Sequence, residues 1–235
     1  MPTTVIVPAR GGSRRIPRKN VLPLLGTPIL ARTLGAIHEA GIADNVIVTT
    51  DDDEIEAIAT TNGALVIRRS PELADEHTPL LPVMRDAIQQ LVERGIVTGD
   101  SDAIAMVFAT AITMDPGDLA NAKDEIPADR FVVSVSSYTH PPQRAFHMDA
   151  TGRLNPVDPA QESVRTQDLP EWYHDAAQFV WGRTKEWMSA SSIFANALGY
   201  AVPRWRCVDL DTPEDLTTAQ VLLAGLASLS TDPGP

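Results

Sequence analysis

Short runs of apolar residues alternate along the chain with stretches in which apolar residues recur every three or four positions. The runs are rich in β-branched residues and predict buried strands at residues 3–7, 45–50, 64–67, 103–109, 131–136, 179–181 and 204–209. The periodic stretches predict helices at residues 28–40, around 55–59, at 79–94, and after Pro116 and Pro213. This alternation indicates an α/β fold with a doubly wound, mostly parallel sheet.

One segment breaks the alternation. Residues 137–175 are rich in proline, glutamine, asparagine and aspartate and have no clear helical period. Long irregular segments in a compact domain usually carry function or form an interface, and the apolar Phe146, Met148 and Leu154 are more than a disordered linker needs. We therefore predict one domain over residues 1–228 in which 137–175 is an extension, or alternatively an internal flap. A small polar tail at 229–235 is expected to be disordered.

The chain is acidic overall, with 19 Lys and Arg against 31 Asp and Glu among 235 residues and a formal net charge of −12. This balance argues against general nucleic-acid binding, which needs a basic face. The single cysteine, Cys207, excludes an intramolecular disulfide. Because neither a signal peptide nor a membrane-length apolar stretch is recognisable, we expect no membrane partner and a cytoplasmic location.

A basic loop, residues 8–20, follows the first predicted strand. Its five cations are Arg10, Arg14, Arg15, Arg18 and Lys19. Gly11 and Gly12 allow backbone N–H groups to approach a ligand closely, and Ser13 adds a hydroxyl donor. Cations and bare N–H groups at the carboxyl end of a first strand suit a polyphosphate. The alternative is a solvated basic surface loop.

The basic loop matches neither the P-loop motif nor the dinucleotide-binding glycine motif. Pro17 and Pro23 keep it irregular, and the first helix is expected to begin near Pro28 with Thr27 as its N-cap. The loop itself, without a helix dipole, would then wrap the phosphates.

Asp209 and Asp211 are the first candidates for a metal site. If the predicted strand at 204–209 continues, residues two apart point the same way, and paired carboxylates suit Mg²⁺. The alternative, that Asp211 caps the next helix, is weakened because Thr212 already serves as a cap. Asp51, at the end of the second strand, is kept only as a possible ligand-shell residue, since acidic residues also favour helix N-termini.

The sequence P-A-R-G-G-S-R-R-I-P-R-K-N at residues 8–20 resembles a long and specific motif of the CMP-sialic acid synthetase family, the cytidylyltransferases that activate nine-carbon acidic sugars. Three further stretches resemble the pseudaminic acid branch of that family: P-Q-R-A at 142–145, R-T-Q-D-L at 165–169 and Y-H-D-A-A-Q-F at 173–179. The resemblance extends from Val5 to about Leu223.

The resemblance implies a Rossmann-like sheet of the nucleotide-diphospho-sugar transferase type and a homodimer that uses the 137–175 extension. It also implies that CTP and a nonulosonic acid, expected to be pseudaminic acid, react to give a CMP-sugar and pyrophosphate. Mg²⁺ would be held by Asp209 and Asp211, and Arg10, Lys19 and Asp211 would be catalytic. The implied nucleotide contacts are Pro8, Ala9, Arg10, Gly11, Ser13, Arg14, Lys19, Asn20 and Arg69.

On the sugar side, the resemblance assigns Arg165 to the carboxylate of the nonulosonic acid, with Arg144 as a second candidate and His174 and Gln178 as further contacts. An arginine fork suits a carboxylate. The alternative for His174 is a structural hydrogen-bonded pair with Asp175, and the alternative for Arg69 is a surface salt bridge. Arg18 is expected to face solvent.

The chain departs from the family pattern at Ile112, where proline is common, and at Ala177, where glycine is usual; Arg14 stands where related enzymes often have lysine, and its forked geometry differs. The departures at Ile112 and Ala177 affect the expected substrate more than the reaction, whereas the departure at Arg14 weakens the case for a specific catalytic role of that residue. Alternative sugars are legionaminic and N-acetylneuraminic acid. A neutral sugar phosphate would need a second phosphate site. A non-catalytic dimeric nucleotide-binding module would have lost the loop cations or the aspartate pair, and both are intact.

Overall fold

Seven strands form the main sheet of the computed structural model, which describes residues 2–75 and 78–231. In chain order the strands are β1 (Thr3–Pro8), β2 (Pro23–Leu24), β3 (Thr27–Pro28), β4 (Asn45–Thr50), β5 (Leu65–Arg68), β6 (Ala103–Val107), β7 (Val132–Ser137), β8 (Phe146–Met148), β9 (Leu154–Pro156), β10 (Tyr173–Arg183) and β11 (Leu198–Ala201). The helices are α1 (Ile29–Ala40), α2 (Asp53–Thr61), α3 (Leu80–Glu93), α4 (Pro116–Asp124), α5 (Thr184–Ser189) and α6 (Pro213–Thr231).

The main sheet has the order β11-β7-β10-β6-β1-β4-β5. β1 lies between β6 and β4 and pairs in parallel with both, and β5 and β11 also pair in parallel with their neighbours. β10 alone in this sheet runs antiparallel, between β6 and β7. The prediction of a mostly parallel, doubly wound α/β sheet is confirmed.

Helices cover both faces of the sheet because side chains alternate along each strand. Val5 of β1 packs with Leu34 of α1 on one face, in a cluster that also takes in residues of α2 and α4. Ile6 packs on the other face with Met84 of α3 and Trp187 of α5. A separate, smaller cluster described below lies beneath the basic loop.

The prediction of a last strand at residues 204–209 is wrong. Pro203 has no N–H to continue the sheet, and Arg204–Arg206 forms a 3₁₀ turn instead. The guanidinium of Arg206 pairs with Asp115 and Asp118 at the start of α4, at 2.7 and 2.8 Å. β11, which the pattern missed, takes the edge position beside β7.

The strand predicted at 179–181 is part of a longer one. β10 begins at Tyr173, and its register shifts between Asp175 and Val180. Ala177 lies in this bulge with φ 50°, in the left-handed region that favours glycine. The extension therefore runs from β7 to the start of β10, and it contains an antiparallel hairpin of β8 and β9.

Two helix ends differ from expectation. Thr27 pairs within the small β2–β3 hairpin, and Pro28 occupies the N-cap position of α1 without a side-chain hydrogen bond. α6 begins as predicted, with Thr212 Oγ1 accepting from the Asp215 N–H at 3.3 Å. It continues to Thr231 because no Gly or Pro interrupts residues 226–231, three residues into the tail expected to be disordered. Residues 232–235 of that tail lie outside the described residues.

Across the described ranges no helix has the length and apolar character needed to span a membrane.

Candidate active site

Three segments meet at the carboxyl edge of the parallel strands. The basic loop leaves β1 at Pro8, the Asp51–Asp52 pair follows β4, and the segment 207–211 crosses from β11 towards α6. The N–H of Ala9 donates to the carbonyl of Thr49 at 3.0 Å, so the loop starts tied to β4. This edge is where ligands bind in open α/β sheets.

The basic loop is held from below by apolar packing. Ile16 is 4% exposed and packs with Leu24, Ile112 and Leu210 in the third hydrophobic cluster. Ile112, one of the departures from the family pattern, therefore fills the space under the loop. Leu210 belongs to the same cluster, so burial of these side chains brings the loop to the Asp209–Asp211 segment.

Hydrogen bonds fix the loop backbone. Asn20, which is 8% exposed, donates from Nδ2 to the carbonyl of Arg10 at 3.0 Å. The Gly11 N–H donates to Asp51 Oδ1 at 3.0 Å, which gives Asp51 a role in the loop. A Cβ on Gly11 would collide with the carboxylate of Asp52 and displace it, so glycine is favoured there.

Arg18 faces solvent, as expected, with 43% of its side chain exposed, and it is also tied to the acidic turn after β4. Its guanidinium makes a two-pronged ion pair with Asp52 and also contacts Glu54. The Arg18 guanidinium is the main cause that holds the pKa of Asp52 below its usual value. Such forked pairs add geometric specificity to charge.

The basic loop and the acidic segment contact each other directly. Lys19 Nζ donates to the Leu210 carbonyl at 2.6 Å and lies 3.3 Å from Asp211 Oδ1. Arg15 pairs with Asp211 Oδ2 at 2.6 Å. Arg15 was not among the residues that the sequence assigned to the site. The only signal for it was its place in the cluster of loop cations.

Asp209 and Asp211 interact electrostatically although the predicted strand is absent. Partial burial is the main cause that raises the pKa of Asp209, and repulsion by Asp211 adds to it. In the described part of the chain, no group of three His, Cys, Asp or Glu side chains is placed to hold a metal. Mg²⁺ typically takes one or two carboxylates and completes its shell with water and substrate phosphates, so this pair fits such an ion.

A polar network fixes the segment that carries the two aspartates. The carbonyl of Arg206 accepts from Thr113 Oγ1 at 2.6 Å and from Gln178 Nε2 at 2.8 Å. Gln178 is 2% exposed, and its Oε1 is buried without a partner. The side-chain N–H of the predicted sugar contact Gln178 is thus used inside the protein, where it holds residue 206.

Arg69 is buried, not at the surface as the salt-bridge alternative required. It is 8% exposed, it donates to the Thr49 carbonyl at 3.1 Å, and its Nε is buried without a partner. Burial lowers the pKa of the Arg69 guanidinium, opposed by the charge of Asp51. A buried donor without a partner is costly, and a ligand atom would satisfy it.

Two cavities adjoin at the basic loop. The Arg69 cavity, of about 230 Å³, has Arg69, Pro8 and Phe108 in its lining. The loop cavity, of about 390 Å³, has Asp211 and the loop residues Ser13, Arg14 and Arg15 in its lining. Both cavities share Arg10, Lys19 and Asn20. The structure therefore brings together all predicted nucleotide contacts, with Ala9 buried beneath them and Gly11 bonded to Asp51.

The predicted sugar contacts lie elsewhere; none of the four lines either cavity among the described residues. Arg144 donates to the Val164 carbonyl at 2.6 Å and braces the extension from within. Arg165 keeps 73% of its side chain exposed and pairs with Asp168 at 2.7 Å. His174 stacks edge-on against Tyr138 and contacts the carbonyl of Asp175 through Nδ1 at 2.8 Å.

Comparison with known proteins gives a consistent family. The family model described as cytidylyltransferase matches residues 4–194. The chain is 31% identical over 226 residues to a pseudaminic acid cytidylyltransferase of Campylobacter jejuni, an alignment that covers 94% of this chain and 96% of that protein. It is 29% identical to N-acylneuraminate cytidylyltransferase B of Danio rerio over 92% of this chain, which spans 50% of that longer protein.

A solved structure shares the fold. It is the CMP:2-keto-3-deoxy-manno-octonic acid synthetase complexed with CTP, with a TM-score of 0.67 and 15% identity, and the match covers 96% of this chain and 100% of that one.

Proposed function

The chain belongs to the cytidylyltransferase family, and on that premise we propose that it joins CTP to a nonulosonic acid, with pseudaminic acid as the sugar. The observation that carries the proposal is the pair of adjoining cavities, which concentrates loop cations in a chain of net charge −12. An isolated cationic pocket in an acidic protein attracts a small polyanion more readily than a nucleic acid.

CTP would span both cavities. The Arg69 cavity, with its buried guanidinium and the aromatic Phe108, suits the base and ribose. The loop cavity suits the triphosphate, with Arg10 and Lys19 at the junction between the two. The backbone N–H of Gly12 would add a donor to the phosphates, whereas that of Gly11 is bonded to Asp51.

In the proposed reaction, the anomeric hydroxyl oxygen of the sugar acid forms a bond to the α-phosphorus of CTP. The bond from that phosphorus to the bridging oxygen breaks, and its electron pair leaves with pyrophosphate. The hydroxyl proton passes to a base, for which we propose Asp211. Arg10 and Lys19 would stabilise the negative charge that develops on the leaving pyrophosphate, an electrostatic and positioning role.

We propose Mg²⁺ as the cofactor, held by Asp209 and Asp211. The raised pKa of Asp209, caused by burial and by Asp211, indicates a carboxylate pair that a cation would stabilise. When bound, the ion would withdraw charge from the phosphate oxygens and lower the barrier to deprotonation of the hydroxyl. Arg15 and Lys19, the present partners of Asp211, would then be available to the phosphates.

We further propose a homodimer formed through the extension. The hairpin of β8 and β9 exposes apolar side chains, among them Met148 at 71% and Leu154 at 60%. Exposed apolar groups of this density on one hairpin favour an interface. Arg165, whose side chain is 73% exposed, would then read the sugar carboxylate in the partner's site.

The substrate assignment is tested by pyrophosphate release with CTP, Mg²⁺ and separate nonulosonic acids, with UTP and ATP as nucleotide controls. The proposal expects release with CTP and pseudaminic acid. Release with legionaminic or N-acetylneuraminic acid instead would change the sugar and retain the reaction. CTP binding without turnover on any acid would support a non-catalytic module.

A further inference from the structure

Asp52, in the turn between β4 and α2, lies against the basic loop at two places, Gly11 near its start and Arg18 near its end. At the far end, Arg18 donates from one guanidinium nitrogen to Oδ1 at 2.9 Å and from the other to Oδ2. At the near end, the Asp52 carboxylate occupies the space in which a Gly11 side chain would lie. Between Gly11 and Arg18 lie Ser13, Arg14 and Arg15, which line the loop cavity. The Asp52 carboxylate therefore contacts the loop on either side of Ser13, Arg14 and Arg15 and limits where these three residues can lie.

The carboxylate is itself held rigidly. Asp52 caps α2, and its Oδ1 accepts from the N–H groups of Glu54 and Ile55 at 3.1 and 3.0 Å. Its side chain is 18% exposed. The capping hydrogen bonds therefore fix the Asp52 carboxylate, and the carboxylate in turn fixes the position of Arg18 in the loop.

Arg18 stands at the start of the turn that carries Lys19 and Asn20. Its backbone is left-handed, with φ 58° and ψ 28°, an unfavourable conformation for an L residue. It immediately precedes the 3₁₀ turn Lys19–Val21, and its carbonyl accepts from the N–H of Val21 at 3.0 Å. Lys19 and Asn20 in that turn line both cavities. A strained residue of this kind persists only where its surroundings hold it.

From these contacts we propose that Asp52 is a positioning residue for the nucleotide: paired with Arg18, it holds the basic loop ready for the triphosphate. This inference rests on the proposed function. Arg18 is then an anchor and not a phosphate ligand. Loss of the pair leaves the loop in several conformations, and CTP affinity falls in proportion to the binding-competent fraction.

The test compares D52N, R18A and D52N/R18A with D53N. Asparagine caps a helix about as well as aspartate, so D52N removes the charge and keeps the cap. D53N removes the same charge one residue further on, from a carboxylate that contacts Arg68 and not the loop. CTP binding is measured by calorimetry with Mg²⁺ and without sugar, together with KM for each substrate and the melting temperature of the ligand-free protein.

We expect D52N and R18A each to raise the dissociation constant of CTP about fivefold to tenfold. The double variant should bind CTP no more weakly than the single variant with the lower affinity, because each single substitution already removes the Asp52–Arg18 pair. KM for CTP should rise in the same ratio while KM for the sugar stays unchanged, and D53N should bind as the wild type does. R18K, which keeps the charge without the fork, should recover part of the loss.

CTP binding by D52N equal to that by D53N would overturn the inference, as would effects of D52N and R18A that add fully in the double variant. If D52N lowers the melting temperature and R18A does not, the CTP affinity of R18A decides whether the inference holds, because R18A leaves the α2 cap intact. A wild type that binds no CTP would instead refute the proposed function, on which the inference depends.

Discussion

Lys19 and Asp211 lie 192 positions apart in the sequence, and the lysine ammonium is 3.3 Å from the aspartate carboxylate. The same ammonium donates to the carbonyl of Leu210 at 2.6 Å. This contact joins the basic loop to the acidic segment, so the residues proposed for the phosphates and for Mg²⁺ form one site. The first two predictions separate the roles of its partners.

Replacing Lys19 by methionine should lower kcat on the order of 100-fold, because a cation that faces the leaving pyrophosphate acts mainly in the transition state. Steady-state rates of pyrophosphate release measure this. The matched control is Lys185→Met, which removes an exposed lysine in α5. A Lys19→Met rate within twofold of the control would remove Lys19 from the catalytic residues.

Asp211→Asn should separate CTP binding from turnover. Without the carboxylate, Arg15 and Lys19 lose their ion pair with Asp211, and both line the loop cavity. We expect CTP binding in EDTA, measured by calorimetry, to be at least as tight as for the wild type, while turnover with Mg²⁺ is lost. Weaker CTP binding in EDTA would show instead that Asp211 mainly holds the loop cations in place.

Adjacent arginines allow a direct test of the Arg69 cavity. Arg69 is buried in it, whereas Arg68 pairs at the surface with Asp53 and Glu56. Arg69→Met should weaken CTP binding about tenfold or more, since a buried charged donor is removed. Arg68→Met should change it less than twofold, as is usual for exposed ion pairs. Equal effects in a fluorescence or calorimetric titration would contradict the placement of the nucleotide.

The half-buried Asp175 gives a pH-dependent prediction. Burial is the main cause that raises the pKa of Asp175, and the charge of Asp209 raises it further. The hydrogen bond from the Ala177 N–H acts in the opposite direction and lowers the pKa. The folded state thus binds the proton more tightly than the unfolded state. Ionised Asp175 therefore destabilises the fold above its folded-state pKa, and the penalty vanishes as the pH falls below the ordinary aspartate value of about 4.

Asp175→Asn should therefore raise the melting temperature at pH 7.5 by about 2–4 °C and leave it unchanged near pH 3.5. Asp129 serves as a control of opposite sign, because its pKa is lowered, chiefly by the hydrogen bond from Arg130. Asp129→Asn should not stabilise at pH 7.5. A gain for Asp175→Asn that is the same at both pH values would show that its charge is not the cause.

The proposed dimer is tested on the exposed hairpin. Met148→Asp together with Leu154→Asp should convert a species of twice 25.4 kDa into one of 25.4 kDa in sedimentation experiments. The control places aspartate at Val221, which is 70% exposed on α6, far along the chain from the hairpin. A wild-type protein that sediments as a monomer at micromolar concentration would refute the dimer.

The sequence predicted best those features that depend on local pattern. β1, β4 and β6 are short apolar runs, and their order along the chain is enough to bring the basic loop and Asp51 to one edge of the sheet. β10 was underestimated because its first half is polar and bulged at Ala177, and its antiparallel place between β6 and β7 depends on distant partners. The predicted strand at 204–209 failed because Arg206 finds ion pairs on α4.

Within the site, residue types were predictable and partners were not. The charge cluster identified the loop, but nothing local distinguishes Arg18, which binds Asp52, from Arg15, which binds Asp211. Likewise Gln178 is a residue type that often contacts ligands. Only the structure shows that its side chain is buried and donates to the Arg206 carbonyl.

The most direct test of the central claim is phosphorus NMR of the protein mixed with CTP, Mg²⁺ and pseudaminic acid. The account predicts that CTP is consumed with equal amounts of pyrophosphate and of a new phosphodiester in which CMP is joined to the sugar. Formation of CDP and phosphate, of free CMP without sugar attached, or no consumption of CTP with any nonulosonic acid would contradict it.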